Sequence, residues 1–174
     1  MSELQFKGWL ENELKGTWVD TISPGSGSTF GYPDIGMLVP GTAIYMPVEL
    51  KHAEVKFTPS KHVKRLVADG WEHTIIPEEK KIRPSRLRPT QIAWHDGFTR
   101  AGGYSRIVLA NMQPEGLLVW VIDQPEQAHL KKWKDGFRPD ELLLVAEESK
   151  LDLDAWWRGP LHWWDSLANR VSAA

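Results

Sequence analysis

The chain of 174 residues contains no cysteine and no long apolar run. Without cysteine there is neither a disulfide framework nor a thiolate metal site, as expected in a reducing cytosol. No stretch approaches the ~20 consecutive apolar residues that a membrane-spanning helix needs. The first residues, MSELQFKGWLENELKG, lack the basic start and apolar run of a secretory signal peptide. We therefore expect a cytoplasmic protein that has no membrane partner.

Several familiar catalytic patterns are also missing. The six histidines show no spacing typical of a zinc site, and no Ser–His–Asp or G-x-S-x-G arrangement is present. The Gly/Ser-rich segment 23–31 (SPGSGSTFG) lacks the lysine of a nucleotide-binding P-loop. We interpret this segment as a loop, either an ordinary turn or a flap that orders when a ligand binds.

What the chain does contain is two acidic residues and a lysine at the ends of two predicted strands. Residues 31–39 (GYPDIGMLV) and 42–51 (TAIYMPVELK) are rich in β-formers and are separated by a turn, which predicts a β-hairpin. Asp34 begins the first strand and Glu49 lies near the end of the second, so both carboxylates come to the same end of the hairpin. Glu49 and Lys51 are two positions apart and project from the same face of the sheet.

Charged groups that converge in this way need partners or a metal ion if they are buried. Mg²⁺ takes oxygen ligands at ~2.1 Å, often one or two carboxylates with waters and a substrate phosphate. Such an ion lowers the pKa of a bound water and stabilises charge on phosphoryl oxygens. We therefore predict that Asp34, Glu49 and the carbonyl of Leu50 are metal ligands. Lys51 is predicted to orient the water or to neutralise the transition state.

A helix predicted at residues 3–15, with Ser2 as its N-cap, supplies a third acid. Glu13 lies on the same helical face as the apolar side chains. An acid on an apolar face must be satisfied by a partner, so Glu13 is the preferred third metal ligand. Glu11, on another face, is the alternative, and a further interpretation leaves Glu13 simply at the rim of the helix.

The pattern Pro33-Asp34 followed by Glu49-Leu50-Lys51 resembles the PD-(D/E)XK nuclease superfamily. With the acidic first helix and Gln91 opening a later helix (RPTQIAW, 88–94), the chain is similar to the VRR-NUC and Holliday-junction-resolvase-like branch, over about residues 3–110. The resemblance implies an α/β fold with an αβββαβ core and a central mixed β-sheet flanked by helices. It implies hydrolysis of DNA phosphodiesters, with Mg²⁺ or Mn²⁺ as cofactor and Gln91 as a catalytic positioning group. The alternative for Gln91, which falls in the first turn of its helix, is that it simply caps that helix. It also implies branched DNA as substrate, a homodimer, and a role in phage replication or repair within the host cytoplasm.

We expect one nuclease domain across residues 1–174. Its core is predicted at about 3–123, with an insertion at 52–88 and a C-terminal Trp-rich helical extension at about 124–174. Within these parts the pattern predicts further elements. They are a short strand at 17–22, helices at 60–68, 91–101 (N-cap Thr90), 125–133 and 160–171, strands at 105–110 and 117–123, and a strand or helix at 142–146.

Charge is unevenly distributed along the chain, although the formal net charge is only −2. Segment 51–106 holds twelve basic and six acidic residues. Segment 1–50 holds two basic and six acidic residues, and segment 107–174 holds seven basic and eleven acidic residues. A basic block directly after the carboxylate motif indicates where DNA phosphates would lie, although a solvated basic surface is the alternative. The predicted DNA-binding residues are Lys56, Lys61, Lys64, Arg65, Lys80, Lys81, Arg83, Arg86 and Arg88.

Four of the ten tryptophans, at positions 156, 157, 163 and 164, cluster near the C-terminus. They fit three interpretations: core packing, stacking on unpaired bases, or a dimer interface. Two alternatives to an active nuclease remain open. One is a catalytically inactive DNA-binding module with the nuclease fold, and the other is a phage protein that binds a protein partner through this Trp-rich tail.

Overall fold

The structure, a computed structural model, describes residues 3–21, 33–113, 116–125 and 127–172. The predicted loop at 23–31 and the predicted cap Ser2 lie outside the described residues. In chain order, the elements are α1 (Glu3–Glu13), β1 (Val19–Thr21), β2 (Ile35–Leu38), β3 (Tyr45–Thr58), β4 (Lys61–Val67), β5 (Gly70–Ile76), β6 (Glu79–Pro84), α2 (Pro89–Arg100), β7 (Arg106–Gln113), β8 (Gly116–Asp123), α3 (Gln127–Lys132), a 3₁₀ turn (Pro139–Glu141), β9 (Leu143–Glu147), β10 (Lys150–Leu151) and α4 (Leu153–Ser172).

A central mixed sheet flanked by helices organises the fold. Its strand order is β1-β2-β3-β7-β8-β9-β10, and β6 pairs with the far half of β3. Strands β3 and β7 are parallel, with Val48 opposite Arg106 and His52 opposite Ala110, and the other pairs are antiparallel. A parallel pair needs a long crossover. Here the crossover contains β4, β5, β6 and α2. Helix α2 directly precedes β7 in the chain and packs on the sheet through Ile92.

Two apolar clusters cover the two faces of this sheet. Phe6, Leu10 and Leu14 at α1 join Leu50 and Val108 in the first cluster, which also includes the fully buried Trp156 of α4. The second cluster includes Ile107 and Leu109 of β7, with Ile92 of α2 packed against it. Side chains alternate between faces along a strand. Glu49 and Lys51, opposite Ile107 and Leu109 in the register, therefore share the α2 face.

The predicted β-hairpin is present as β2 and β3, and the strands predicted at 105–110 and 117–123 correspond to β7 and β8. The helix predicted at 60–68 is wrong, because these residues form β4 and pair with β5 from Lys61 opposite Ile76 to Val67 opposite Gly70. The neglected signal is Asp69-Gly70, a dipeptide typical of hairpin turns. Gly70 has a φ of +125°, which non-glycine residues rarely adopt.

Two helix starts also differ from the prediction. Helix α2 begins at Pro89 with Arg88 in the N-cap position, so Thr90 is not the N-cap. Proline is favoured in the first turn because its missing N–H would have no partner there. Helix α4 begins at Leu153 rather than near Pro160, and the Asp152 carboxylate accepts a hydrogen bond from the Ala155 N–H at 3.0 Å. Asp152 is therefore an N-cap that the sequence analysis missed.

The C-terminal tryptophans pack against the body of the domain. Trp156 is fully buried in the first cluster, and Trp157, Trp163 and Trp164 are partly buried against it. Their apolar area therefore contributes to the attachment of α4 to the sheet.

Candidate active site

The hairpin places Asp34 beside the Glu-Leu-Lys motif of β3. The prediction that Glu49 lies near the end of its strand is wrong, because β3 continues to Thr58; Glu49 instead directly follows the segment of β3 that pairs with β2. Ile35 lies opposite Val48, so Asp34 precedes β2 at the level of Glu49. The Asp34 Oδ2 atom accepts a hydrogen bond from the backbone N–H of Leu50 at 2.7 Å. The half-buried Asp34 carboxylate is thus fixed next to the Glu49-Leu50 peptide.

Glu49 is a fully buried carboxylate, and its Oε1 atom contacts both the Lys51 ammonium and the Gln91 side-chain amide. Lys51 is itself largely enclosed, with 11% of its side chain exposed. A carboxylate removed from water in this way is tolerated only if charged or hydrogen-bonding partners replace its hydration. Lys51 and Gln91 supply those partners, so the predicted catalytic residues Lys51, Glu49 and Gln91 form one contiguous group.

Gln91 reaches this group although the long crossover separates it from Lys51 in sequence. It occupies the third position of α2, where its Oε1 atom accepts a hydrogen bond from the Arg88 N–H at 3.0 Å. Its Nε2 atom donates to Glu49. Because both ends of the amide are engaged, Gln91 joins the start of α2 to the first half of β3 and holds the Glu49 carboxylate in one orientation.

His95 is a site neighbour that the sequence analysis missed. It lies one helical turn after Gln91, is buried, and its Nδ1 atom is 2.9 Å from the Ser105 hydroxyl. Burial, together with the nearby charge of Lys51, lowers the His95 pKa to about 4. His95 is therefore neutral at neutral pH. The spacing Gln91-x-x-x-His95 would have placed both side chains on one helical face.

The donor set matches a hard divalent cation. Asp34, Glu49 and the Leu50 carbonyl offer oxygen atoms only, which Mg²⁺ and Mn²⁺ prefer. Within the described residues, no three acidic or histidine side chains are grouped closely enough to hold a metal ion. Mg²⁺ does not require three, since it is often bound by one or two carboxylates with waters and a phosphate.

Neither candidate for the third acid is placed in contact with Asp34 or Glu49. Glu13 is half-buried and is the last residue of α1. Glu11 is exposed, and its Oε1 atom lies 3.7 Å from the Lys7 Nζ atom. The assignment of Glu13 as a metal ligand stays a prediction.

The predicted DNA-binding residues follow the crossover away from this group. All of them are exposed except Lys81, which is half-buried. Lys56 and Lys81 lie opposite each other on β3 and β6, and Arg83 follows two positions later on the same face. Arg86 and Arg88 line a surface depression beside the first turn of α2, next to Gln91.

A second buried ionic group lies on the opposite face of the sheet. Arg106 is fully buried, donates to Asp123 at 2.5 Å and to the Trp156 carbonyl at 2.8 Å, and its guanidinium lies 4.9 Å from the Trp156 ring centre. Burial and the neighbouring Asp123 raise the pKa of the Tyr104 hydroxyl. These contacts attach α4 to β7 and β8, so Arg106, which the sequence analysis counted in the basic block, is not available to DNA.

In the part of the chain that the structure describes, no helix combines the length and hydropathy needed to cross a membrane. Comparisons of the chain with protein-family models, with curated proteins and with solved structures gave no match.

Proposed function

We propose that this protein is a metal-dependent endonuclease that hydrolyses phosphodiester bonds of DNA, with branched or structured DNA as its substrate. The observation that carries the proposal is the group around Glu49, a fully buried carboxylate in contact with Lys51 and Gln91 and adjacent to the fixed Asp34. The proposal is also supported by the order of elements α1, β1, β2, β3, α2, β7, once β4, β5 and β6 between β3 and α2 are taken as an insertion into an αβββαβ core.

In this proposal Asp34, Glu49 and the Leu50 carbonyl would hold Mg²⁺ or Mn²⁺. The bound ion supplies an activated water and neutralises charge on the phosphate. Lys51 acts as a fixed positive charge toward the pentavalent phosphorus, in a poorly hydrated site where its field is weakly screened. Gln91 is a positioning residue, because its amide holds the Glu49 carboxylate and is itself held by the start of α2.

The proposed DNA path runs along the exposed cations of β6 and the start of α2. Phosphate contacts of Lys and Arg give sequence-independent affinity that falls with salt concentration. Cutting a four-way junction symmetrically needs two active sites related by a two-fold axis, so the proposed working form is a homodimer.

The test is cleavage of a panel of linear, flap, fork and four-way DNA by the purified chain with Mg²⁺ or Mn²⁺. We expect cutting of at least one branched substrate, with its loss in Asp34→Asn and Lys51→Ala. His162→Ala is the matched control, because this exposed histidine lies on α4, which contributes no residue to the candidate site or to the proposed DNA path, and its loss should leave cleavage unchanged.

Two results would contradict the proposal. Cleavage that survives in both site variants would indicate a contaminating nuclease. Absence of cleavage by the wild-type chain on every substrate, with DNA binding retained, would favour the catalytically inactive DNA-binding module instead.

A further inference from the structure

Residues 59–78 form a two-stranded arm between β3 and β6. Its strands, β4 and β5, are hydrogen-bonded to each other and, among the described residues, to no other strand. Nearly all side chains of the arm are exposed. An isolated hairpin is at best marginally stable in water, so exposed apolar side chains on it need an explanation beyond folding.

The register of the arm divides its side chains between two faces. Leu66 lies opposite Trp71, Lys64 opposite His73 and His62 opposite Ile75, and because alternate residues share a face these six side chains are together. We call this surface the tryptophan face. Its apolar members are strongly exposed, with 66% for Leu66, 65% for Trp71 and 61% for Ile75.

The two faces differ in their acidic residues. The tryptophan face carries Lys64 and two histidines and no acidic residue, whereas the opposite face carries Lys61 and Arg65 together with Glu72. If two copies of the chain packed through this face, Lys64 would meet like charge without any carboxylate to neutralise it. A polyanion with flat apolar groups matches the face better, and unpaired nucleotides have both features.

The position of the arm relates it to the candidate site. Strand β3 carries Lys51 and continues without interruption to Thr58, where the arm begins. At ~3.3 Å per residue, this stretch is about 23 Å long, which corresponds to roughly seven nucleotides at ~3.4 Å per nucleotide of one strand.

We propose that the tryptophan face binds an unpaired DNA strand, with Trp71 stacking on a base and Lys64 contacting a phosphate, about seven or more nucleotides from the scissile bond. This inference rests on the proposed nuclease function and adds the determinant by which a fork or flap is distinguished from plain duplex. Base stacking on one aromatic side chain is sufficient to change affinity about 5- to 100-fold.

The experiment compares Trp71→Ala with Ile76→Ala, a matched control on the opposite face, in the full-length chain. Binding to a fork with an unpaired strand and to fully paired duplex is measured by fluorescence anisotropy with Ca²⁺ in place of Mg²⁺, and cleavage of both is measured with Mg²⁺. We expect Trp71→Ala to weaken fork binding about 5- to 100-fold and duplex binding less than twofold. Ile76→Ala should bind both the fork and the duplex with the affinity of wild type. Fluorescence of 2-aminopurine in the unpaired strand should be quenched by wild type and not by Trp71→Ala.

The other outcomes overturn either the arm inference or the nuclease proposal, and they can be told apart. Equal losses on fork and duplex, or no loss on either, would exclude stacking by Trp71. A wild-type dimer that Trp71→Ala converts to monomers in sedimentation velocity would assign the face to a second copy. If wild type cuts the fork while Trp71→Ala binds it normally, only the arm inference fails. If wild type never cuts but Trp71 still governs fork binding, the nuclease proposal fails and the arm assignment stands.

Discussion

The buried His95 should make stability depend on pH between about pH 6.5 and pH 4. Its pKa is about 4 in the folded chain against 6.5 when unfolded, so the unfolded state takes up this proton first as the pH falls. The stabilising contribution of neutral His95 is therefore fully present above pH 6.5. It declines as the pH falls from 6.5 to 4, and below pH 4 His95 causes no further loss of stability. A difference of 2.5 pKa units at 1.36 kcal/mol each amounts to roughly 3 kcal/mol.

The assay is urea unfolding of wild type and His95→Gln at several pH values from 7.5 to 4, with EDTA present. The variant loses the Ser105 contact at every pH, but it cannot be protonated at position 95. Its free energy of unfolding should therefore approach or pass that of wild type as the pH falls, and the difference between the two should change by roughly 3 kcal/mol.

The control is His62→Gln, which changes an exposed histidine and keeps His95, so its unfolding energies should retain the wild-type pH dependence. Parallel curves for wild type and His95→Gln across this range would show that His95 is not held neutral by burial, and the reasoning would be refuted.

Three further results are expected. Gln91→Ala should slow single-turnover cleavage about 10- to 100-fold with little change in DNA affinity, because it removes the amide that holds the Glu49 carboxylate, and a pure loss of affinity would contradict the positioning role. Thr99→Ala, near the other end of α2, should leave the cleavage rate unchanged. Replacing Lys80, Lys81 and Arg83 with Ala should weaken DNA binding and flatten its salt dependence, and an unchanged slope of log affinity against log salt would remove β6 from the DNA path. Trp156→Ala should cost about 3–5 kcal/mol in urea unfolding, and a cost below that of the partly buried Trp157→Ala would contradict its central place in the core.

The part of the site that lies within one hairpin was readable from the sequence. Strand alternation and a short turn suffice to bring Asp34, Glu49 and Lys51 to one end, because both rules act between neighbours in the chain. Gln91 was assigned to the site only through the motif resemblance, and its contact with Glu49 was not predicted. It depends on how α2 packs against the sheet after a long crossover, which local patterns do not specify.

The remaining errors arise where local patterns are ambiguous or silent. Val63, Leu66 and Val67 suit one side of a short helix as well as a strand, and only pairing with β5 decides between them. His95 and Ser105 meet because a helix packs on a strand, so nothing local predicts their contact. Arginine is usually a surface residue, but Arg106 is buried because it lies opposite Val48 in the central pair of strands.

The strand pairing at the base of the arm makes the arm structurally separable from the core. Thr58 and Glu79 already lie side by side as the last pair of β3 and β6, so a two-residue turn could replace everything between them without disturbing the core. Under the two proposals made above, excision of the arm would remove the preference for unpaired DNA and leave hydrolysis of the phosphodiester bond.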